Sequence, residues 1–258
     1  MKIRLHSQYD HFPNYRADRK EPAFELWNDG KIWEKKGEGS ALMIEPRPLQ
    51  EENYRWLETN YYKFKWIFTH DSRLLAICPN ALPIVYWNQY ELNDEPKTKD
   101  ISMICGTKMM CPLHIERRRI AEKIQDDVDI LGDWLGGDRV SIRDAYSPYK
   151  FAVVIENHVD DLWFTEKILN AFANKTVPIY FGARKITEMF DGNGIIQVDN
   201  LWDIPKTIKR ILSAGVDFEY NIRRGAIAHN YNIVQEYRDF EDWFVTKYET
   251  LIEGEMQC

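Results

Sequence analysis

The chain has 258 residues, 44% of them apolar, enough to build a real core in one large domain or two small ones. A formal charge of -7 and a pI near 5.5 argue against a nucleic-acid surface, which needs clustered Lys and Arg; Arg117-Arg118-Arg119 is the one basic run. No stretch approaches the roughly 20 apolar residues of a membrane span, and Cys78, Cys105, Cys111 and Cys258 lack zinc-binding spacing, so a soluble chain with reduced thiols in a cytoplasmic setting is expected.

Residues 1–5 alternate apolar and basic side chains, which fits a short strand, and the polar stretch 6–14 reads as a loop. Within 25–33 the run W-N-D-G-K-I-W carries a turn signal that predicts a tight connection between two short extended pieces. Residues 41–44 form a strand-like apolar run that stops at Glu45-Pro46-Arg47-Pro48, where proline forbids continuation. A carboxylate at that edge, held in a Pro-flanked loop, is well placed to reach into a cleft. A helix over 51–61 follows, with Tyr54, Leu57 and Tyr61 on one face, then a strand over 66–69 ending in His70-Asp71. Ser72 can cap a short helix over 73–77, and 82–87 is another strand. This alternation implies a small N-terminal α/β domain. The very polar stretch 91–100, with Pro96, is the candidate linker.

The second half opens with a strand over 101–106, a loop containing Pro112, a helix over 114–125 and a strand over 128–131. Residues 149–181 are the clearest unit of the chain. The run 151–155 is continuously apolar and β-branched, as in a strand covered on both faces. Thr165 can N-cap a helix whose Ile168, Leu169 and Phe172 fall at helical spacing, Asn174-Lys175 can close it, and 177–181 is a second strand. Such βαβ units put their chemistry at strand ends and helix starts, where backbone N–H groups point at anions. Glu156, Asn157, Trp163, Glu166 and Lys167 stand there. A short strand over 195–198, an amphipathic helix over 204–214 and a mostly helical, aromatic stretch over 218–252 complete the chain.

The pattern Glu156-Asn157, Trp163, Phe164, Thr165-Glu166-Lys167, then Thr176-Val177-Pro178 through Gly182 resembles the donor-binding motif of the α-1,3/1,4-fucosyltransferases, glycosyltransferase family 10. Trp163 stands where that family usually has Tyr. The family layout of an Arg, ten residues and V-D-hydrophobic-x-G is reproduced by Arg117 and Val128 to Gly132, while its usual S-N is replaced by Gly106-Thr107.

The resemblance implies an α/β fold of the GT-B type, two Rossmann-like domains with a cleft between them. The expected division is an acceptor-side domain over 1–95, a nucleotide-sugar domain over 96–235 and a C-terminal helix, 236–258, packing back across both. It implies an inverting glycosyltransferase that moves L-fucose from GDP-fucose to a glycan hydroxyl. Donor contacts would come from Arg117, Asn157, Trp163, Glu166 and Lys167, with Arg117 and Lys167 neutralising the diphosphate. The catalytic base would be Glu45. No cofactor is expected: GDP-fucose is the donor substrate, and Asp127-Val128-Asp129, despite its D-x-D spacing, is not expected to hold a metal. The partners expected are a nucleotide-sugar donor and a glycan acceptor, with no nucleic acid and no membrane span.

Each assignment has a plainer alternative on the residues alone. Arg117 could solvate a helix face, Glu166 could serve the helix dipole, Asn157 could brace its loop and Trp163 could fill core. Glu45 could be an exposed loop carboxylate. Glu156 reads as a hydroxyl acceptor or a loop anchor, and His70 as a structural histidine or an acceptor contact. Asp160-Asp161 reads as a solvated pair. The other functions open are transfer from another nucleotide sugar and a non-catalytic glycan- or nucleotide-binding module.

Overall fold

The computed structural model describes residues 3–7, 24–86 and 92–256. Two compact units make up the chain. The first gathers Met1–Asn88, Asp160–Trp163 and Glu236–Cys258, and the second gathers Gln89–Val159 and Phe164–Gln235.

The first unit is built on five parallel strands in chain order, β1 (Ile3–His6), β2 (Phe24–Asn28), β3 (Ser40–Met43), β4 (Ile67–Thr69) and β5 (Ala81–Pro83). Every residue of β3 and β4 is buried, as a parallel sheet covered on both faces requires. Tyr54 and Leu57 of the helix α1 (Arg47–Asn60) pack on Ala41, Met43 and Ile67. The loop expected over 6–14 lies, beyond Ser7, outside the described residues, as does Trp87 at the end of the strand expected over 82–87.

Three local expectations are corrected. The N-D-G sequence does not join two strands: β2 runs into a 3-10 helix, Asp29–Glu34, because Asp29 adopts φ 46, a left-handed geometry that Asp tolerates better than most residues. The helix α1 begins at Arg47 rather than at 51. Pro46 caps it and Pro48 lies in its first turn, where no backbone donor is missed; Gln50 (φ -136) kinks it soon after. Finally, the cap of α2 (Ser72–Ile77) is Asp71, whose Oδ1 accepts the Leu74 N–H at 2.7 Å. Asp71 also takes a bidentate pair of hydrogen bonds from Arg47, both 2.8 Å, and Arg47 reaches on to Glu58.

The second unit is a doubly wound sheet. Its elements are β6 (Lys99–Ile104), α3 (Pro112–Ile124), β7 (Asp129–Leu131), α4 (Ile142–Tyr146), β8 (Tyr149–Ile155), α5 (Glu166–Ala173), β9 (Val177–Phe181), β10 (Ile196–Gln197), α6 (Ile204–Ala214), α7 (Val216–Asn221) and α8 (Arg224–Ile233). The strand order is β10-β9-β8-β6-β7, all parallel. The chain therefore leaves β6 in one direction to make β7 and returns to its other side to make β8. Such a reversal opens a crevice at the carboxyl ends of the strands, the usual ligand position in these sheets. The helix α5 forms as its spacing predicts: Ile168, Leu169 and Phe172 are fully buried, Thr165 caps it, and Lys175 (φ 52) turns the chain into β9.

One lysine ties this unit together. Lys97 Nζ donates to Tyr146 O and Ser147 O at the end of α4, to Asn174 O at the end of α5, and to Thr176 Oγ1. Burial draws the Lys97 pKa down to about 7, and its N–H donors satisfy carbonyls that two helix ends leave open. The last helix, α9 (Phe240–Met256), belongs to the first unit, where Phe244 meets Phe68 (4.7 Å between centroids) and Phe240 meets Tyr86 (5.2 Å). No helix among the described residues is long and apolar enough to cross a membrane.

Candidate active site

The carboxyl ends of β6, β7 and β8 and the start of α5 border a cavity of about 440 Å3. Arg117, Asn157 and Lys167 all line it, so the guanidinium of one helix and the ammonium of another share one hollow. Lys108 and Arg139 add two more cations, and Asp133 is the acidic residue of the lining. A hollow with this excess of positive charge suits a polyanion.

Three successive arginines meet three different fates. Arg119 pairs with Glu116 at 2.6 Å on the surface. Arg118 packs over the Trp134 ring at 4.1 Å and donates to the carbonyls of Thr107 and Lys108, pinning the loop after β6. Arg117 turns to the cavity: one terminal nitrogen donates to Ile155 O (2.6 Å) and Asn157 Oδ1 (2.7 Å), leaving Nε and the other nitrogen without hydrogen bonds among the described residues. Burial draws its affinity for the proton below the ordinary arginine value, and Glu156 opposes this. The solvated-face alternative does not describe Arg117.

The Thr-Glu-Lys run has a mechanical explanation. Glu156 is fully buried at the end of β8 and accepts from Thr165 N (3.0 Å) and Thr165 Oγ1 (2.7 Å), which fastens the start of α5 to the strand. That is the loop-anchor role. Lys167 Nζ lies 2.9 Å from Thr165 Oγ1, 3.2 Å from Glu166 Oε1 and 3.4 Å from Glu156 Oε2. Burial lowers the Lys167 pKa, but Glu166 and Glu156 outweigh it and the net shift is upward. Burial raises the Glu166 pKa, but Lys167 outweighs it and the net shift is downward. Both groups are therefore ionised at neutral pH, and α5 presents a fixed cation with its counter-charge behind it.

Gly106-Thr107, where the family pattern has S-N, is held by Asp133: Thr107 N donates to Oδ1 at 2.9 Å. His114, in the first turn of α3, also lines the cavity. Sequence reading passed over Lys108, His114, Asp133 and Arg139. For Lys108 and Asp133 the signal was there, since each follows within four residues of a predicted strand; for His114 and Arg139 no local pattern marks them.

Glu45, His70, Asp160 and Trp163 lie in the first unit. Glu45 follows β3 and is half-buried; its backbone N–H, like that of Ile44, donates to Asp29 Oδ1 (3.3 and 3.1 Å), and its carbonyl accepts from Tyr54 at 2.7 Å. Burial, then the nearby Glu45 charge, push the fully buried Asp29 carboxyl up to about 8. His70 is buried, with Nε2 3.2 Å from the Tyr54 hydroxyl. Because that hydroxyl donates to Glu45 O, the His70 Nε2–H donates to Tyr54. Trp163 is 2% exposed, and its one N–H donates to Ile44 O at 3.1 Å. An indole so buried has no ring face for a sugar, which favours its packing role. The expectation of a solvated Asp160 is wrong: it is 5% exposed, and its carboxylate accepts the Ser72 N–H at 3.1 Å. Of the D-x-D pair, Asp129 accepts a hydrogen bond from the Tyr149 hydroxyl at 2.8 Å.

Two parallel α/β units, one of them doubly wound with a cation-lined crevice at its strand reversal, define the GT-B class of glycosyltransferase folds. Solved structures agree: an α1,3-fucosyltransferase crystallised with GDP matches 83% of this chain and 72% of its own at TM-score 0.55 and 16% identity, and TarM matches 88% of this chain and 54% of its own at TM-score 0.56 and 11% identity. Over residues 96–216 the sequence matches the family described as glycosyltransferase family 10 (fucosyltransferase), C-terminal. An α-(1,4)-fucosyltransferase of Arabidopsis thaliana is 32% identical over 92 residues. That stretch is 34% of this chain and 23% of the plant enzyme.

Proposed function

We propose that the chain is an inverting glycosyltransferase that transfers L-fucose from GDP-fucose to a hydroxyl of a glycan, with no metal requirement. The observation that carries this reading is the meeting of Arg117 and Lys167 on one cavity at the strand reversal, with Asn157 between β8 and α5. In this reaction the acceptor oxygen attacks the anomeric carbon as the bond from that carbon to the β-phosphate oxygen breaks. The electron pair leaves with GDP. Arg117, through its Nε and free terminal nitrogen, and Lys167 would neutralise the developing charge, with Lys108 and Arg139 raising the local potential. Four side-chain cations are what replaces a divalent ion in this reading. Glu166 would hold Lys167 charged and accept from a donor hydroxyl. The proton of the acceptor hydroxyl would pass to Glu45.

The test is calorimetric titration of the full chain with GDP-fucose beside UDP-glucose, GDP-mannose and GDP, followed by a direct assay for fucosylated product. Binding of GDP-fucose above the others with product formed is the expected result. Preference for another nucleotide sugar would reassign the donor, and binding with no product on any glycan would make this a binding module.

A further inference from the structure

His114 has both ring nitrogens engaged. The Met110 backbone N–H donates to Nδ1 at 3.1 Å, and Nε2 stands 3.0 Å from Asn157 Oδ1. An imidazole that accepts at Nδ1 is neutral and carries its proton on Nε2, so the second contact is a donation to the amide oxygen. Burial, then Arg117 on the same helix, lower the His114 pKa; Lys167 from α5 and Lys108 from the loop after β6 act in the same direction, while Asn157 opposes them.

The amide of Asn157 consequently has one orientation. Its Oδ1 receives two N–H groups, from His114 and Arg117, and exchanging oxygen for nitrogen would set N–H against N–H twice. The NH2 group is left with no hydrogen bond among the described residues, on a side chain that lines the cavity. Arg117 alone secures this less well, because the same nitrogen also serves Ile155 O.

We propose that His114 is a positioning residue for the donor: through Nε2–H it locks the Asn157 amide so that its two N–H donors meet an oxygen of the nucleotide sugar. This rests on the reading of the cavity as a nucleotide-sugar site. A histidine that merely packed α3 against its loop would not act through Asn157, and a double-mutant cycle separates the two roles.

The experiment is calorimetric titration of GDP into the full chain carrying His114→Met, Asn157→Ala, both, or His114→Gln. His114→Met is expected to weaken GDP binding about tenfold, the scale of one lost hydrogen bond to a ligand-bearing group. In the Asn157→Ala background the same change should cost less than about twofold, because its only route is already gone. His114→Gln, which keeps an N–H at similar reach, should recover most of the loss. Independent losses that multiply in the double variant, or a Met variant equal to the wild type, would overturn the proposal while leaving the donor site standing. A wild-type chain that binds no GDP would overturn both. Should the Met variant not fold by circular dichroism, His114→Asn, polar but too short to reach Oδ1, takes its place in the cycle.

Discussion

A methyl group placed on Gly182 would stand 2.5 Å from Cγ of Glu156, and would also collide with the Tyr180 hydroxyl. The glycine that closes the Thr-Val-Pro strand is thus there to let the fully buried Glu156 side chain pass, and the two ends of the motif are one packing unit. Gly182→Ala is expected to push Glu156 off its hydrogen bonds to Thr165 and to cost about 1–3 kcal/mol, as overpacked cores do. Urea unfolding with an unchanged midpoint would show that the backbone yields instead.

Arg117→Ala should lower GDP-fucose turnover by roughly 100-fold or more, the scale of losing one preorganised charge on a leaving group. Arg117→Lys should recover only part of this, since lysine cannot hold Ile155 O and Asn157 while also offering a fork to phosphate. Lys167→Ala should lose activity on a similar scale. Release of GDP from GDP-fucose measures all three, and full activity in Arg117→Ala and Lys167→Ala would defeat the proposed function.

For Glu45→Gln the expected signature is a split, with GDP-fucose affinity kept and transfer lost by about 100-fold or more. The substitution is close to isosteric and keeps the backbone bonds of this residue to Asp29 and from Tyr54. Transfer rates within a few-fold of wild type would remove Glu45 from the mechanism.

The Arg47–Asp71 pair makes the first unit sensitive to acid. Burial of Asp71 would raise its pKa, but hydrogen bonds from Arg47 and Leu74 outweigh that and hold it below the ordinary carboxylate value. A carboxyl depressed in the folded state stabilises fully above its unfolded value, about 3.9, and that contribution is lost as the pH falls through the lower folded value. Arg47→Met should remove this part of the acid dependence and destabilise by on the order of 3 kcal/mol at pH 7, since it strands a buried carboxylate. Thermal unfolding across pH 2–7 checks both, and parallel curves for variant and wild type would refute the assignment.

Lys97→Met should lower stability by about 1–3 kcal/mol, because the carbonyls that end α4 and α5 lose their shared donor. Hydrogen exchange localises the effect: protection should fall first at Tyr146–Ser147 and Asn174, and a uniform change would count against it.

What could be read from the residues was what short-range physics decides. The unit from β8 to β9 was legible because two continuous apolar runs, a threonine cap and a helical spacing of Ile168, Leu169 and Phe172 all agree. Arg117 and Lys167 were legible through spacing shared with a family. Prolines misled: Pro46 and Pro48 end a strand, yet the same lack of a donor suits a helix start, and only the packing of Tyr54 decides between them. Asp160 was misread because its partner, the Ser72 N–H, is 88 residues away, and His114 was passed over because Asn157 is 43 residues away. Nothing in a local window distinguishes such a carboxylate or imidazole from a solvated one.

The first unit is assembled from three separate pieces of chain, and the last of them carries Phe240 and Phe244, which cover Tyr86 and Phe68. A chain stopped after residue 235 would contain the whole second unit, while the first would lack α9 and leave the aromatic surface of Phe68 and Tyr86 uncovered. Such a truncated chain should be prone to capture by chaperones.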